Sequence, residues 1–223
     1  MHLVPRTERP RRLVLLRHGR TEWNRIGRAQ GHADVSLDAL GRKQAENAAQ
    51  HLASYDPAFL WSSDLARARE TAEPIAAATG LDVVYDARLR EYDVGVRQGM
   101  TFSEFEEAHP DIVARFRAGE PAIVPGSEST DQVVERMRAV MRDAVATVGH
   151  GGTGILVGHG ASLRTGLLAF FEAPPHLREM LAGMSNCAWT VLEQHHDRGW
   201  QIIDYNATTL PEPLDLADDL ASS

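Results

Sequence analysis

Two arginines and two histidines fall where a phosphate ester could be attacked. Arg17 and His18 follow the apolar run Leu13-Val14-Leu15-Leu16, and Gly19 comes next. So short a run, closed by a glycine, reads as a central parallel strand rather than a helix. Arg17 and His18 then lie at the carboxyl end of that strand, where open α/β sheets bind ligands. A guanidinium presents a planar fork of donors to phosphate oxygens. A neutral imidazole beside it offers a ring nitrogen that can be phosphorylated. Gly19 lets the backbone turn and approach a bound group. Alone, the tripeptide is equally well an ordinary loop start; its weight comes from recurrence.

The pattern recurs twice. Phe59-Leu60-Trp61 reads as a strand ending in Ser62-Ser63-Asp64, with Arg67 on the first turn of the next helix, where unpaired backbone N–H groups also point outward. Ile155-Leu156-Val157 reads as another strand, ending in Gly158-His159-Gly160. Strands alternating with helices imply a mostly parallel sheet whose carboxyl ends share one rim. Two arginines, two histidines and helix N-termini on that rim make an anion site, suited to a phosphoryl group carrying about −1.5 to −2 charges. Hydrolysis of a phosphomonoester also needs a proton for the leaving alkoxide. Glu91, after the short strand Val83-Val84-Tyr85 and beside Gly95 and Gly99, is the candidate donor and must be protonated when the ester bond breaks. Locally it is equally well a solvated carboxylate paired with Arg88 or Arg90.

The elements that must position these groups follow from periodicity. Residues 19–37 have no clear period and read as a long functional loop with at most a short helical start. Ser36 or Asp38 caps a helix over 38–54, with Ala45, Ala48, Ala49 and Leu52 on its buried stripe. A helix over 65–79 stops at Gly80. Residues 101–120 look helical, broken at Pro110, and 121–130 form a loop. Val133, Val134, Met137, Val140, Met141 and Val145 mark an amphipathic helix over 129–148. A helix runs from His159 to about 171, and Pro174-Pro175 starts a short helical piece. Two closing strands cover 187–194 and 200–205. The expected fold is α/β: a mostly parallel central sheet with helices on both faces and a small helical insertion. Residues 1–11 read as a loose arm, 12–206 as a single domain with its insertion at about 92–130, and 207–223 as a tail.

Composition narrows the function. The chain has 223 residues, 43% of them hydrophobic, and a formal net charge of −8. That size and apolar share support one sizeable core. The acidic balance argues against nucleic acid or an anionic membrane as partner, while leaving room for an anionic small molecule where arginines converge. The one cysteine, Cys187, excludes an internal disulfide and fits a reducing compartment as a buried small hydrophobe. The basic start (Arg6, Arg9, Arg11, Arg12) lacks a signal-peptide core, and no apolar run reaches membrane-spanning length. A cytoplasmic location is expected. No metal-ligand spacing appears, and His195-His196 reads as a solvated strand end. Gly149-His150-Gly151-Gly152-Thr153-Gly154 has the glycines of a dinucleotide fingerprint, but it precedes a strand instead of following one, so it reads as a loop. Ser162 lacks a nucleophile-elbow context and reads as a helix cap.

Taken together, Arg17-His18-Gly19 with Thr21 and Asn24, the run Ser62-Ser63-Asp64-Leu65-Ala66-Arg67, Leu89-Arg90-Glu91 and Gly158-His159-Gly160 resemble the histidine phosphatase superfamily, the phosphoglycerate-mutase-like fold, over residues 12–206. The resemblance implies that His18 is the nucleophile and Glu91 the proton donor. It implies that Arg17, Arg67 and His159 hold the phosphoryl oxygens, and that Thr21, Asn24, Gln30, Gly31 and Gly160 lie near phosphate or substrate. It implies no metal or cofactor, a small phosphorylated substrate, and a homodimer. Family mutases carry a longer, basic insertion; here it is short and acidic (Glu104, Glu106, Glu107, Asp111), which favours hydrolysis over mutase chemistry. Gly27-Arg28-Ala29-Gln30-Gly31, Gly183-Met184-Ser185-Asn186-Cys187-Ala188-Trp189-Thr190 and Asp204-Tyr205-Asn206-Ala207 are similar to actinobacterial glucosyl-3-phosphoglycerate phosphatases. Arg97 departs from the tryptophan many relatives have before the Gln-Gly step, exchanging a flat apolar wall for a cation. A catalytically inactive phosphate-binding scaffold is the alternative of another class.

Overall fold

The computed structural model describes residues 9–209. The apolar runs become strands. β1 (Arg12–Arg17), β2 (Pro57–Ser62), β3 (Val83–Tyr85) and β4 (Thr153–Gly158) are mutually parallel, and β5 (Trp189–His195) and β6 (Gly199–Ala207) add an antiparallel edge. The order is β3-β2-β4-β1-β5-β6, so β1 lies in the interior between β4 and β5. Leu13 to Leu16 are completely buried, as a strand covered on both faces requires.

Side-chain alternation along β1 splits the core in two. Val14 and Leu16 pack with Ala45, Ala48, Ala49 and Leu52 of α2 (Ala39–Ala53) and with Ala68, Ala72 and Ile75 of α3 (Ala66–Thr79). Leu13 and Leu15 pack with Val133, Met137, Val140 and Met141 of α6 (Thr130–Thr147) and with Leu163 and Leu167 of α7 (Gly160–Phe170). The expected α/β architecture, with helices on both faces, is what forms. The stretch 92–130 holds α4 (Phe102–Ala108) and α5 (Pro110–Arg117), separated where Pro110 takes the first position of α5. A proline there gives up an N–H that the first turn would leave unpaired.

Local chemistry sets the boundaries. Asp38, not Ser36, caps α2, accepting from the Gly41 N–H at 2.8 Å. In the long loop, Glu22–Arg25 forms a single helical turn, α1, closed by a capping box between Thr21 and Asn24. β5 starts at Trp189, two residues later than the sequence pattern places it, because Cys187 takes a left-handed φ of 54°. Cys187 is buried in the turn before the strand. Thr153 and Gly154, expected in a glycine loop, belong to β4. Arg11, placed in the loose arm, is docked: its guanidinium donates to the Val145 and Val148 carbonyls and to Gln194 Oε1. The rest of that arm through residue 8, and the tail from residue 210, lie outside the described residues. Among the described residues no helix is long and apolar enough to cross a membrane.

Candidate active site

The carboxyl ends of β1, β2 and β4 meet as the alternation demands, and a cavity of about 800 Å³ opens above them. Arg17, His18, Asn24, Gln30, Gly31, Arg67, Glu91 and Gly160 all line it. Thr21 and His159 stand behind that lining, fully buried.

His18 is 3% exposed. Its Nδ1 lies 2.7 Å from the Gly19 carbonyl. A carbonyl can only accept, so Nδ1 carries the proton and Nε2 keeps its lone pair. Burial, then the Arg67 and Arg17 guanidiniums, hold the imidazole pKa well below 6.5, so the ring is neutral near pH 7. Gly19 acts differently from the sequence expectation. It is absent from the cavity lining, and a Cβ there would lie 2.5 Å from the Gly41 carbonyl oxygen. Its small size seats the turn after β1 against the first turn of α2. Its N–H is held by Thr71 Oγ1 at 3.0 Å.

Arg67 is completely buried, near the start of α3. Its Nε donates to His159 Nδ1 at 3.1 Å, and its two terminal nitrogens donate to the Gly31 and Ala33 carbonyls at 2.8 Å each. Each terminal nitrogen has a second hydrogen for a ligand. Burial lowers its pKa to about 10, which leaves it charged near neutrality. Leu65, the residue before α3, cannot cap the helix. Asp34 does so from the long loop, accepting from the Ala66 N–H at 2.6 Å. Arg17 donates to the Met184 carbonyl. A Cβ on Gly160 would sit 3.3 Å from Arg17 Nε, so a glycine at that position lets the guanidinium lie flat on the start of α7.

His159 accepts from Arg67 at Nδ1, so its Nε2 holds the proton and donates to Ser63 Oγ at 2.9 Å. Both nitrogens are committed to the protein, and the ring lies 5.1 Å from that of His18, centroid to centroid. Burial and the neighbouring guanidinium of Arg67 hold its pKa well below 6.5 too. In this state His159 positions Arg67; contact with a phosphoryl oxygen requires Nε2 to leave Ser63. Thr21 is likewise a support, holding Asn24 Oδ1 through its own N–H and hydroxyl at 3.1 and 3.0 Å.

Glu91 is not paired with its neighbours: Arg90 binds Asp64, and Arg88 binds Asp86 and Asp143. Its carboxylate instead accepts from the N–H groups of Tyr92, Ala161 and Ser162 at 2.9, 3.1 and 2.8 Å. Ser162 therefore does not cap α7 with its side chain; Glu91 takes up the N–H groups of the first turn. Arg136, unremarked in the sequence pattern, clasps the carbonyls of Arg88, Arg90 and Glu91 while paired with Glu128 at 2.9 Å. Ser63 is legible only as part of a strand end and Arg136 not at all, because the partners that define their roles lie 96 and about 45 positions away.

Gln30 turns a buried Oε1 with no partner among the described residues to the cavity wall. Six arginines (17, 28, 67, 97, 164 and 178) face four carboxylates around the cavity, a local positive excess in a chain of net charge −8. His195, His196 and Asp197 bring ligand atoms within 4.8 Å of one another on an exposed turn, remote from this cavity.

Residues 13–208 match the family model of the histidine phosphatase superfamily (branch 1). The glucosyl-3-phosphoglycerate phosphatase of Mycobacterium tuberculosis is 35% identical over 214 residues, covering 90% of this chain and 96% of that protein. A probable phosphoglycerate mutase of Salmonella paratyphi C is 32% identical over 198 residues, covering 85% and 90%. Among solved structures, mycobacterial glucosyl-3-phosphoglycerate phosphatase in complex with VO3 superposes with a TM-score of 0.79 at 36% identity, covering 89% of this chain and 100% of that one. Fold, strand-end chemistry and family model coincide, and the chain belongs to the histidine phosphatase superfamily, a hydrolytic family.

Proposed function

We propose that the protein is a phosphomonoesterase working through a phosphohistidine on His18, and that its substrate is glucosyl-3-phosphoglycerate or a related sugar or glycerate phosphate. The observation that carries it is the spent Nδ1 proton of His18, which leaves Nε2 with its lone pair on a neutral ring that lines the cavity together with Arg17 and Arg67. The substrate class is supported by what the similar phosphatases are named for.

Nε2 attacks phosphorus as the P–O bond to the leaving group breaks. Arg17 and Arg67 take up charge on the transferring oxygens, where preorganised donors count most. Glu91 gives its proton to the departing alkoxide, then takes one from the water that attacks the phosphohistidine. His159 steadies Arg67 and joins the phosphoryl oxygens once ligand displaces Ser63. Asn24, Gln30, Gly31 and Gly160 shape the phosphate side, with Thr21 behind Asn24. No cofactor or metal takes part. Residues 12–206 act as one domain whose 92–130 insertion walls the cavity, in a cytoplasmic homodimer; sedimentation velocity reads the dimer.

Phosphate release from a generic ester tests the proposal. His18→Ala should abolish it, together with the acid-labile, alkali-stable label that radioactive substrate leaves on the wild type. Equal slow release by both proteins would mean a phosphate-binding scaffold. The Salmonella relative's name favours a second reading, a mutase. Interconversion of 2- and 3-phosphoglycerate without phosphate release would establish it.

A further inference from the structure

Arg97 is a buried cation that the phosphoryl chemistry does not use. It ends the short 3-10 turn Gly95–Arg97, in the insertion, and is 9% exposed. It lines the same cavity as His18. Its Nε is buried with no hydrogen-bond partner among the described residues. Its guanidinium carbon lies 5.9 Å from the centre of the Phe105 ring, and burial is the influence that lowers its pKa, with no carboxylate opposing it. The neighbouring cations are compensated differently: Arg28 is paired with Glu104 at 3.0 Å and bonded to the Gly99 carbonyl, and Arg136 is paired with Glu128. A desolvated guanidinium with only an aromatic face for company is costly. Unsatisfied buried donors of this kind concentrate where a ligand completes them.

We propose that Arg97 binds a carboxylate of the substrate, at a subsite separate from the His18 phosphoryl pocket, and so selects phosphate esters that also carry a carboxylate. A guanidinium fork matches a carboxylate in two parallel hydrogen bonds. The cavity is large enough for a second anionic group beyond the phosphoryl. Phe105 holds the cation on the wall, so little ordering is required when the carboxylate arrives. This inference rests on the phosphomonoesterase reading and names the substrate class within it.

The test compares 3-phosphoglycerate with glycerol 3-phosphate, which differ by a carboxylate against a hydroxymethyl group. Wild type should prefer the first in kcat/KM. Arg97→Met should lower that preference by about ten- to a hundredfold, the worth of one strong charge-assisted contact, mainly through KM. It should leave glycerol 3-phosphate turnover near wild type, and Arg97→Lys should restore part of the preference. Calorimetric binding of 3-phosphoglycerate to His18→Ala, with and without Arg97→Met, reads the same contact without turnover. Loss of activity on both esters to the same degree, or an unchanged preference in a folded Arg97→Met, overturns the carboxylate subsite and leaves the phosphatase reading intact. Should Arg97→Met not fold, an Arg97→Lys preference equal to wild type, with equal 3-phosphoglycerate affinity, overturns it too. Wild type that releases phosphate from no ester ends both.

Discussion

Replacing Arg67 by Met separates what this side chain does for the fold from what it does for the chemistry. Methionine fills a similar stem volume without charge or donors. The three groups that Arg67 now serves, His159 Nδ1 and the carbonyls of Gly31 and Ala33, lose their donors, while the cost of a fully buried guanidinium disappears. These effects oppose each other, so the variant should stay folded, with circular dichroism as the check. The chemistry has no such offset. Two remaining hydrogens on the terminal nitrogens can reach the phosphoryl group. At about 1.5–3 kcal/mol for each charge-assisted bond, their loss should lower kcat/KM by roughly 10²- to 10⁴-fold. A second readout is independent of that drop. Arg67 is the largest charge holding the His18 pKa down after burial. Without it, His18 should take up a proton at higher pH, and the acid limb of kcat/KM should move upward. The assay is phosphate release from an activated aryl phosphate across pH 4 to 8. A folded variant that retains activity within a factor of three, or loses activity without any movement of the acid limb, refutes the assignment.

Glu91→Gln keeps one accepting oxygen, for the Tyr92 and Ser162 N–H groups, loses the contact to the Ala161 N–H, and cannot give up a proton. It should slow alkyl esters by about a hundredfold or more while sparing an aryl phosphate, whose leaving group needs no proton; equal slowing of both would remove the donor role. His18 and His159 bind fewer protons folded than unfolded below pH 6.5. Stability should therefore fall as pH drops through that value, by up to about 1.4 kcal/mol per pH unit for each histidine. Urea unfolding between pH 6.5 and 5.5 should show a shallower fall in His18→Asn; an unchanged slope would contradict a neutral buried ring. Bound phosphate should raise Tm in wild type and much less in Arg67→Met, by mass action on the folded state.

The strands and the rim chemistry were legible because they rest on short-range patterns. Three apolar runs ended in Arg-His, Ser-Ser-Asp and Gly-His-Gly, and a parallel sheet has one place to put such ends. Boundaries shifted where a single backbone angle overrides propensity, as at Cys187 before β5. Thr21-Glu22-Trp23-Asn24 carried a capping box, but one turn of helix has too few residues to show a period. Glu91 was undecidable locally, since two arginines flank it; its partners are N–H groups seventy positions on. The roles of Ser63 and Arg136 and the isolation of Arg97 depend on which groups other segments bring or withhold, and no spacing in the chain encodes that.

The interior place of β1 also governs how the protein comes into being. The strand that delivers the nucleophile leaves the ribosome well before its two partners, which begin at Thr153 and Trp189. Pairings so distant in sequence form late and slowly. The nascent chain must keep Leu13 to Leu16 shielded until β4 and β5 have been made. A truncation before β5 leaves one flank of β1 open and the turn around His18 without the Cys187 N–H that holds its carbonyl at 3.1 Å. Competence for phosphate binding should thus arrive all at once, when β5 has been made and paired.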